Sequence, residues 1–259
     1  LSEVAQETAV PSLYVAPSTL DLLGVELEIS SHRDRAFKLR NALRAMAEKP
    51  MSDGTQFSYV LTTTEPQQIR YAVILMPGGS GRLDPRMKDG RLVMTLSGNF
   101  LIRSRAAFAG HQFVAASTDS TSTPARINAI VADLERRYGK LAVYVVGTSN
   151  STNDTLDLVP KMDGQVAGFA HTSSFNRIAW FDPRKLKSRN LIVLHEKDTC
   201  RYTLPSNGLA SHDKYGTDLI VMTGGKTKGE ECEAYAYHGY YTIEAETVDK
   251  IKAWILKGA

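Results

Sequence analysis

A chain of 259 residues with 42% hydrophobic and 23% charged residues is long enough to bury one full-sized core and too short to need two, so one domain is expected. The formal charge of +3 comes without blocks of one sign and offers no strong field for nucleic acid or a membrane surface. No apolar run approaches the roughly 18 to 20 residues that a membrane span needs.

In chain order, the first seventy or so residues stand apart from the rest. They read as a polar leader, a helix over His32–Glu48, a turn at Pro50–Gly54 and a β-rich stretch Phe57–Thr64. They read as an N-terminal extension (1–55) packed on a main domain (56–259) that opens with antiparallel strands. Strand-like apolar runs follow at Tyr71–Met76, His111–Ala116, Leu141–Val146, Gln165–Ala170, Asn190–His195 and Thr217–Met222. Most are too apolar to alternate between core and solvent, as expected of strands buried on both faces. Between them lie amphipathic stretches at Asn99–Ala109, Pro124–Tyr138 and Ser149–Leu158, with a last one near Thr242–Leu256. Alternation of strand and helix predicts a mostly parallel sheet covered on both faces. The connection from Ala170 to Asn190 has room for a loop and one short helix, and none for a large lid.

Val143 to Val146 runs as a hydrophobic strand into Gly147-Thr148-Ser149-Asn150-Ser151 and then a helix. A serine on such a sharp turn has its hydroxyl exposed above a sheet, with small residues two before and two after letting strand and helix approach. Gly147 meets that demand and Ser151 approximates it; a Ser/Thr-rich helix cap after a buried strand has the same appearance. Order supplies a second test. An acid and then a histidine should lie downstream, each a strand-helix-strand unit away. Asp198 follows the strand Asn190–His195, and His238 stands just before the last helix. By itself Asp198 reads as a solvated turn aspartate and His238 as a surface histidine; together with Ser149 they make a triad in the required order. Glu196 is an alternative acid, and His195, His171 and His212 are alternative bases by residue type alone. Backbone donors for an oxyanion are expected from Asn150, after the nucleophile, and from the glycine-rich turn Pro77-Gly78-Gly79-Ser80-Gly81, with Gly79 preferred and Ser80 second.

Other patterns carry less. Gly225-Lys226-Thr227 resembles the end of a phosphate loop, but Ile220 replaces its leading glycine. The glycosylation acceptors at Asn150 and Asn153 are formal, the first lying in the turn itself. No metal-ligand spacing occurs, and no cofactor is expected. Cys200 and Cys232 read either as two free thiols or as a disulfide; their positions beside the acid and the histidine favour the bridge.

Together these residues resemble a lean group of secreted or periplasmic bacterial α/β-hydrolases. The likeness runs from about Tyr71 to the C-terminus. It rests on Pro77-Gly78-Gly79-Ser80-Gly81, the segment Gly98-Asn99-Phe100-Leu101-Ile102-Arg103-Ser104-Arg105, Val146-Gly147-Thr148-Ser149, Asp198 with Cys200, and Cys232 followed by His238-Gly239-Tyr240-Tyr241. The resemblance implies an α/β-hydrolase fold without a large lid, a Ser149-His238-Asp198 triad and a disulfide tying the acid loop to the histidine loop. The group usually reads Gly-Thr-Ser-Arg-Gly at the turn, so Asn150 and Ser151 depart from it; the N-terminal extension is outside the likeness. The expected activity is hydrolysis of carboxylic esters, short acyl esters or lactones first, with thioesters and amides within reach of the same chemistry. A binding protein on the same fold is the alternative. The expected partner is a small ester-type molecule, neither nucleic acid nor a membrane. A start at Leu1 fits a removed signal peptide and fits an arbitrary boundary equally well, and the bridge fits an oxidising compartment.

Overall fold

A computed structural model describes residues 56–63, 68–88 and 91–258, together with the backbone of short strands at 6–7, 14–15 and 47–50. Its central sheet has eight strands. In chain order these are β1 (Ala47–Pro50), β2 (Gln56–Thr62), β3 (Tyr71–Met76), β4 (Phe113–Ser117), β5 (Ala142–Thr148), β6 (Gly168–Thr172), β7 (Arg189–His195) and β8 (Asp218–Met222). Their spatial order is β1-β2-β4-β3-β5-β6-β7-β8. β1 pairs antiparallel with β2 and β2 with β4; every other neighbour is parallel. Most of the expected extension lies outside the described residues, including the turn at 51–54 and the helix-like stretch as far as residue 46. Its last residues differ from expectation, since Ala47 and Glu48 belong to a strand of the main sheet.

Side chains of the inner strands alternate between two cores, one per face. Ala72, Ile74 and Met76 of β3 face one core, with Val143 and Val145 of β5; Tyr71, Val73 and Leu75 face the other, with Tyr144 and Val146. The first core is closed by α3 (Pro124–Tyr138) and α4 (Ser151–Met162), through Ile127, Ile130 and Leu134 and through Leu158, Val159 and Met162. The second is closed by α1 (Phe100–Arg103), α2 (Arg105–Phe108) and α6 (Glu244–Lys257), whose Val248, Ile251, Trp254 and Ile255 are buried. Burial on both faces is why these strands read as unbroken apolar runs.

Two readings are corrected by the structure, and one helix is added. The stretch Asn99–Ala109 is not one helix but α1 and α2, broken at Ser104 (φ −92, ψ 2); there the Ile102 carbonyl accepts from the Ser104 N–H and from the Arg105 guanidinium (2.8 Å). The run at Gln165–Ala170 becomes strand only from Gly168, since the Gln165 N–H still donates to Met162 O at the end of α4. Helix α5 (Pro205–Tyr215) has no counterpart in the apolar pattern. It buries Gly208 and Ser211, with Gly208 so close to Leu194 and Ile192 that an added Cβ would lie 2.8 and 3.1 Å from them. A helix that packs through a glycine and a serine shows no apolar stripe. Between β6 and β7 the described chain holds one 3₁₀ turn, Asn176–Trp180, and no lid. Among the described residues no helix is long and apolar enough to cross a membrane.

Candidate active site

Parallel register brings the C-terminal ends of β3, β5, β6 and β7 to one edge: Met76 pairs with Gly147, Thr148 with Thr172 and Thr172 with Val193. At the end of β5 the chain turns sharply into α4, and Ser149 stands at the turn with φ +53, a left-handed conformation that non-glycine residues rarely occupy. Several bonds hold it there. The Ser149 N–H donates to Thr172 O (3.0 Å), and its carbonyl accepts from the N–H (2.9 Å) and hydroxyl (2.5 Å) of Thr152. Gly147 permits the tight return, since an added Cβ would lie 2.7 Å from Thr155 Cγ2 and 3.0 Å from Ser151 O. Ser151, where the resembled group has glycine, fits by turning its hydroxyl back: Oγ accepts from Thr148 N–H (2.8 Å) and donates to Met76 O (2.7 Å). Its buried side chain braces the turn from behind.

Asp198 lies in the loop after β7 and is almost fully buried. Its Oδ1 accepts from the Cys200 N–H (2.9 Å), and its Oδ2 lies 3.0 Å from Nδ1 of His238. His238 belongs to a 3₁₀ turn, Tyr237–Gly239, that precedes α6. An added Cβ on Gly239 would lie 1.9 Å from Ala234 O, so this turn excludes any side chain there. The His238 carbonyl accepts from Ser173 Oγ (2.7 Å). Tyr240 Oη accepts from the Ser173 N–H (2.9 Å) and donates to Val193 O (2.8 Å); burial pushes its phenol well above the usual tyrosine range, so it stays a neutral donor. From the other side Arg103 braces the same turn: Nη1 donates to Gly98 O (2.7 Å), Nη2 to Gly239 O (2.6 Å) and Nε to Glu244 (3.0 Å). Cys200 and Cys232 form a disulfide, joining the acid loop to the segment that leads to His238.

Ser149 and His238 line one cavity of about 330 Å³, together with Gly78, Gly79, Leu96 and Phe100 among others. No Asp, Glu, Lys or Arg among the described residues lines it. Among the described residues, Ser149 Oγ enters no hydrogen bond, and the N–H groups of Gly79, Ser80 and Asn150 donate to no protein acceptor. The Asn150 side-chain amide donates to Gly79 O (2.9 Å), fastening the glycine turn to the serine turn. Gly79 is in the cavity wall; Ser80 is not.

The alternative residues sit elsewhere. Glu196 is exposed, and exposed His212 holds Thr217 O through Nδ1 (2.7 Å). His195 is buried, with Nε2 donating to Gly224 O (2.9 Å), Nδ1 accepting from Lys197 N–H (3.0 Å) and its ring stacked on Tyr237. His171 is wholly inside, with Nε2 donating to Asn190 Oδ1 (3.3 Å) and Nδ1 against Thr155 Oγ1 (2.8 Å). Desolvation holds its pKa down at about 4, so it is a neutral core residue at neutral pH. An unfolded histidine titrates near 6.5, so the unfolded chain binds the extra proton first as pH falls. The stability due to neutral His171 is complete above pH 6.5 and is lost as pH falls towards 4, to a total of about 3 kcal/mol. Urea unfolding at a series of pH values should show this loss, and a His171→Gln variant should show a smaller one.

Several supporting residues escaped the sequence reading. Ser173 gives no signal in the sequence. Arg103 and Tyr240 stand in segments that carry the resemblance, with no role that the sequence assigns them. Thr203, just before α5, also lies against the acid and the histidine.

No protein-family model and no curated protein matches the chain. Solved structures do match its fold. Est1E from Butyrivibrio proteoclasticus is 13% identical with a TM-score of 0.58, the match covering 83% of this chain and 98% of that one. An esterase domain from a Rhodothermus marinus protein is 11% identical with a TM-score of 0.55, covering 81% and 96%. An α/β serine hydrolase without a lid from Xanthomonas campestris is 8% identical with a TM-score of 0.51, covering 83% and 92%. The architecture is the α/β-hydrolase fold.

Proposed function

We propose that this chain is a serine hydrolase of carboxylic esters, with short acyl esters or lactones as its substrates. The observation that carries the proposal is the meeting of three features at one cavity: a serine at a left-handed strand-to-helix turn, a histidine whose Nδ1 is held by a buried carboxylate, and the unpaired backbone N–H of Gly79 in the same wall. Nδ1–H of His238 donates to Asp198, which leaves Nε2 unprotonated as the base. Nε2 takes the proton of Ser149 as Oγ attacks the ester carbonyl, and the imidazolium returns it to the departing alcohol. Asp198 keeps the ring in this tautomer and stabilises its charged form. The N–H groups of Asn150 and Gly79 receive the negative charge that develops on the carbonyl oxygen. Water, activated by the same histidine, then releases the acid.

The cavity supports the reading of a small substrate. A volume of about 330 Å³ bounded by glycines, Leu96 and Phe100, with no Asp, Glu, Lys or Arg among the described lining residues, suits a short uncharged acyl group. The disulfide supports residence in an oxidising compartment, the periplasm or outside the cell.

A fluorophosphonate probe tests the proposal. It should add one phosphonyl group to the native protein, and peptide mapping should find it on Ser149. A folded sample that stays unlabelled under conditions that label an ordinary esterase supports the binding-protein alternative instead.

A further inference from the structure

Thr203 has no part in the scheme above, yet its hydroxyl completes a triangle with the acid and the base. Thr203 Oγ1 is 3.0 Å from Asp198 Oδ2 and 3.0 Å from His238 Nδ1, and those two atoms are themselves 3.0 Å apart. The side chain is 2% exposed, so water does not compete for these contacts. The backbone fixes its place: Asp198 N–H donates to His195 O (3.0 Å), Cys200 N–H to Asp198 Oδ1 (2.9 Å) and Thr203 N–H to Cys200 O (2.9 Å). The acid and Thr203 are therefore two points on one tightly wound loop, facing a histidine that arrives from a different part of the chain.

Counting protons assigns the roles. A hydroxyl has one hydrogen to donate, and an ionised carboxylate only accepts. The Thr203 hydrogen therefore goes to Asp198 Oδ2, and an oxygen lone pair is turned towards Nδ1. That arrangement is satisfied when Nδ1 carries a hydrogen, which is then shared between Oδ2 and Oγ1. With the hydrogen on Nε2, Nδ1 would itself need a donor, and the single threonine hydrogen cannot serve both it and the carboxylate.

We propose that Thr203 is a positioning residue that selects the Nδ1–H tautomer of His238 and fixes the rotation of the Asp198 carboxylate, so that Nε2 is presented to the cavity without a proton. It acts through the acid–base pair and does not touch the substrate. The inference rests on the reading of His238 as the base.

The test compares wild type, Thr203→Val and Thr203→Ser. Valine keeps the shape and removes the hydroxyl, so kcat should fall roughly 10- to 100-fold, as expected for loss of a hydrogen bond to a charged group, while KM changes by less than about two-fold. Serine should restore kcat to within about three-fold of wild type, because it returns the donor and the lone pair. In proton NMR the low-field resonance of His238 Nδ1–H should move or vanish in the valine variant and reappear in the serine variant. In the wild type the Thr203 hydroxyl proton should exchange slowly and give a cross-peak to Nδ1–H; this measurement decides the matter even where the valine variant does not fold. A valine variant with wild-type kcat and an unmoved resonance overturns the proposal, as does a wild-type hydroxyl that exchanges freely with no cross-peak. Ester turnover that survives removal of the Ser149 hydroxyl refutes the reading of the site instead, and the Nδ1–H resonance would still report on Thr203.

Discussion

A Ser149→Ala variant is expected to fold as the wild type does and to lose turnover of a short-chain chromogenic ester by at least about 10⁴-fold. Oγ enters no hydrogen bond among the described residues, so its removal leaves no partner unsatisfied, and stability should stay within about 0.5 kcal/mol. A Ser149→Gly variant sharpens the test. It loses the nucleophile equally but relieves the left-handed backbone at φ +53, so it should be about 1 kcal/mol more stable than the wild type. An inactive yet stabilised enzyme is the signature of a strained position kept for chemistry. Asp198→Asn, which keeps the shape of the acid but favours the wrong histidine tautomer, should cost about 10⁴-fold in kcat. Equal ester turnover in the wild type and the alanine variant would place the nucleophile elsewhere, and glycine without any gain in stability would mean that the turn is not strained.

Removal of the disulfide is expected to cost both stability and rate. The bridge closes a loop with a sequence separation of 32 residues, and opening it returns chain entropy to the unfolded state equivalent to about 4 kcal/mol. Cys200 is buried beside the acid, and its N–H holds Asp198 Oδ1; Cys232 is in the wall of the cavity. The bridge therefore links the loop that carries the carboxylate to the segment that delivers the histidine. In urea unfolding a Cys200→Ala, Cys232→Ala double variant should be less stable by that amount, with its midpoint at lower urea concentration. Assayed well below its melting temperature, it should turn over ester at least several-fold more slowly, because the 3.0 Å contact between Asp198 and His238 is no longer tethered at both ends. Undiminished kcat in the reduced or doubly substituted protein would limit the bridge to a stabilising role.

The triad candidates were legible because three local signals recur in a fixed order: a buried strand running into a small-residue turn, an acid just past a later strand, and a histidine before the last helix. Each depends on neighbours in the chain, and the parallel register then brings the strand ends to one edge. What failed was local in another sense. Helix α5 is held by close approach of Gly208 to β7, and α1 ends where the Arg105 side chain takes a carbonyl. Neither event leaves a periodic mark.

By itself, the order of residues determined the layered fold and the three candidate groups at the sheet edge, because alternating apolar runs and turn glycines act over a few residues. The tertiary structure alone decided how those groups are held. Arg103 reaches Gly239 across a separation of 136 residues, Ser173 holds the His238 carbonyl across 65, and Thr203 meets His238 across 35. Such contacts depend on where whole strands and loops come to rest in three dimensions, and any exposed serine, threonine or arginine would have read the same way along the chain.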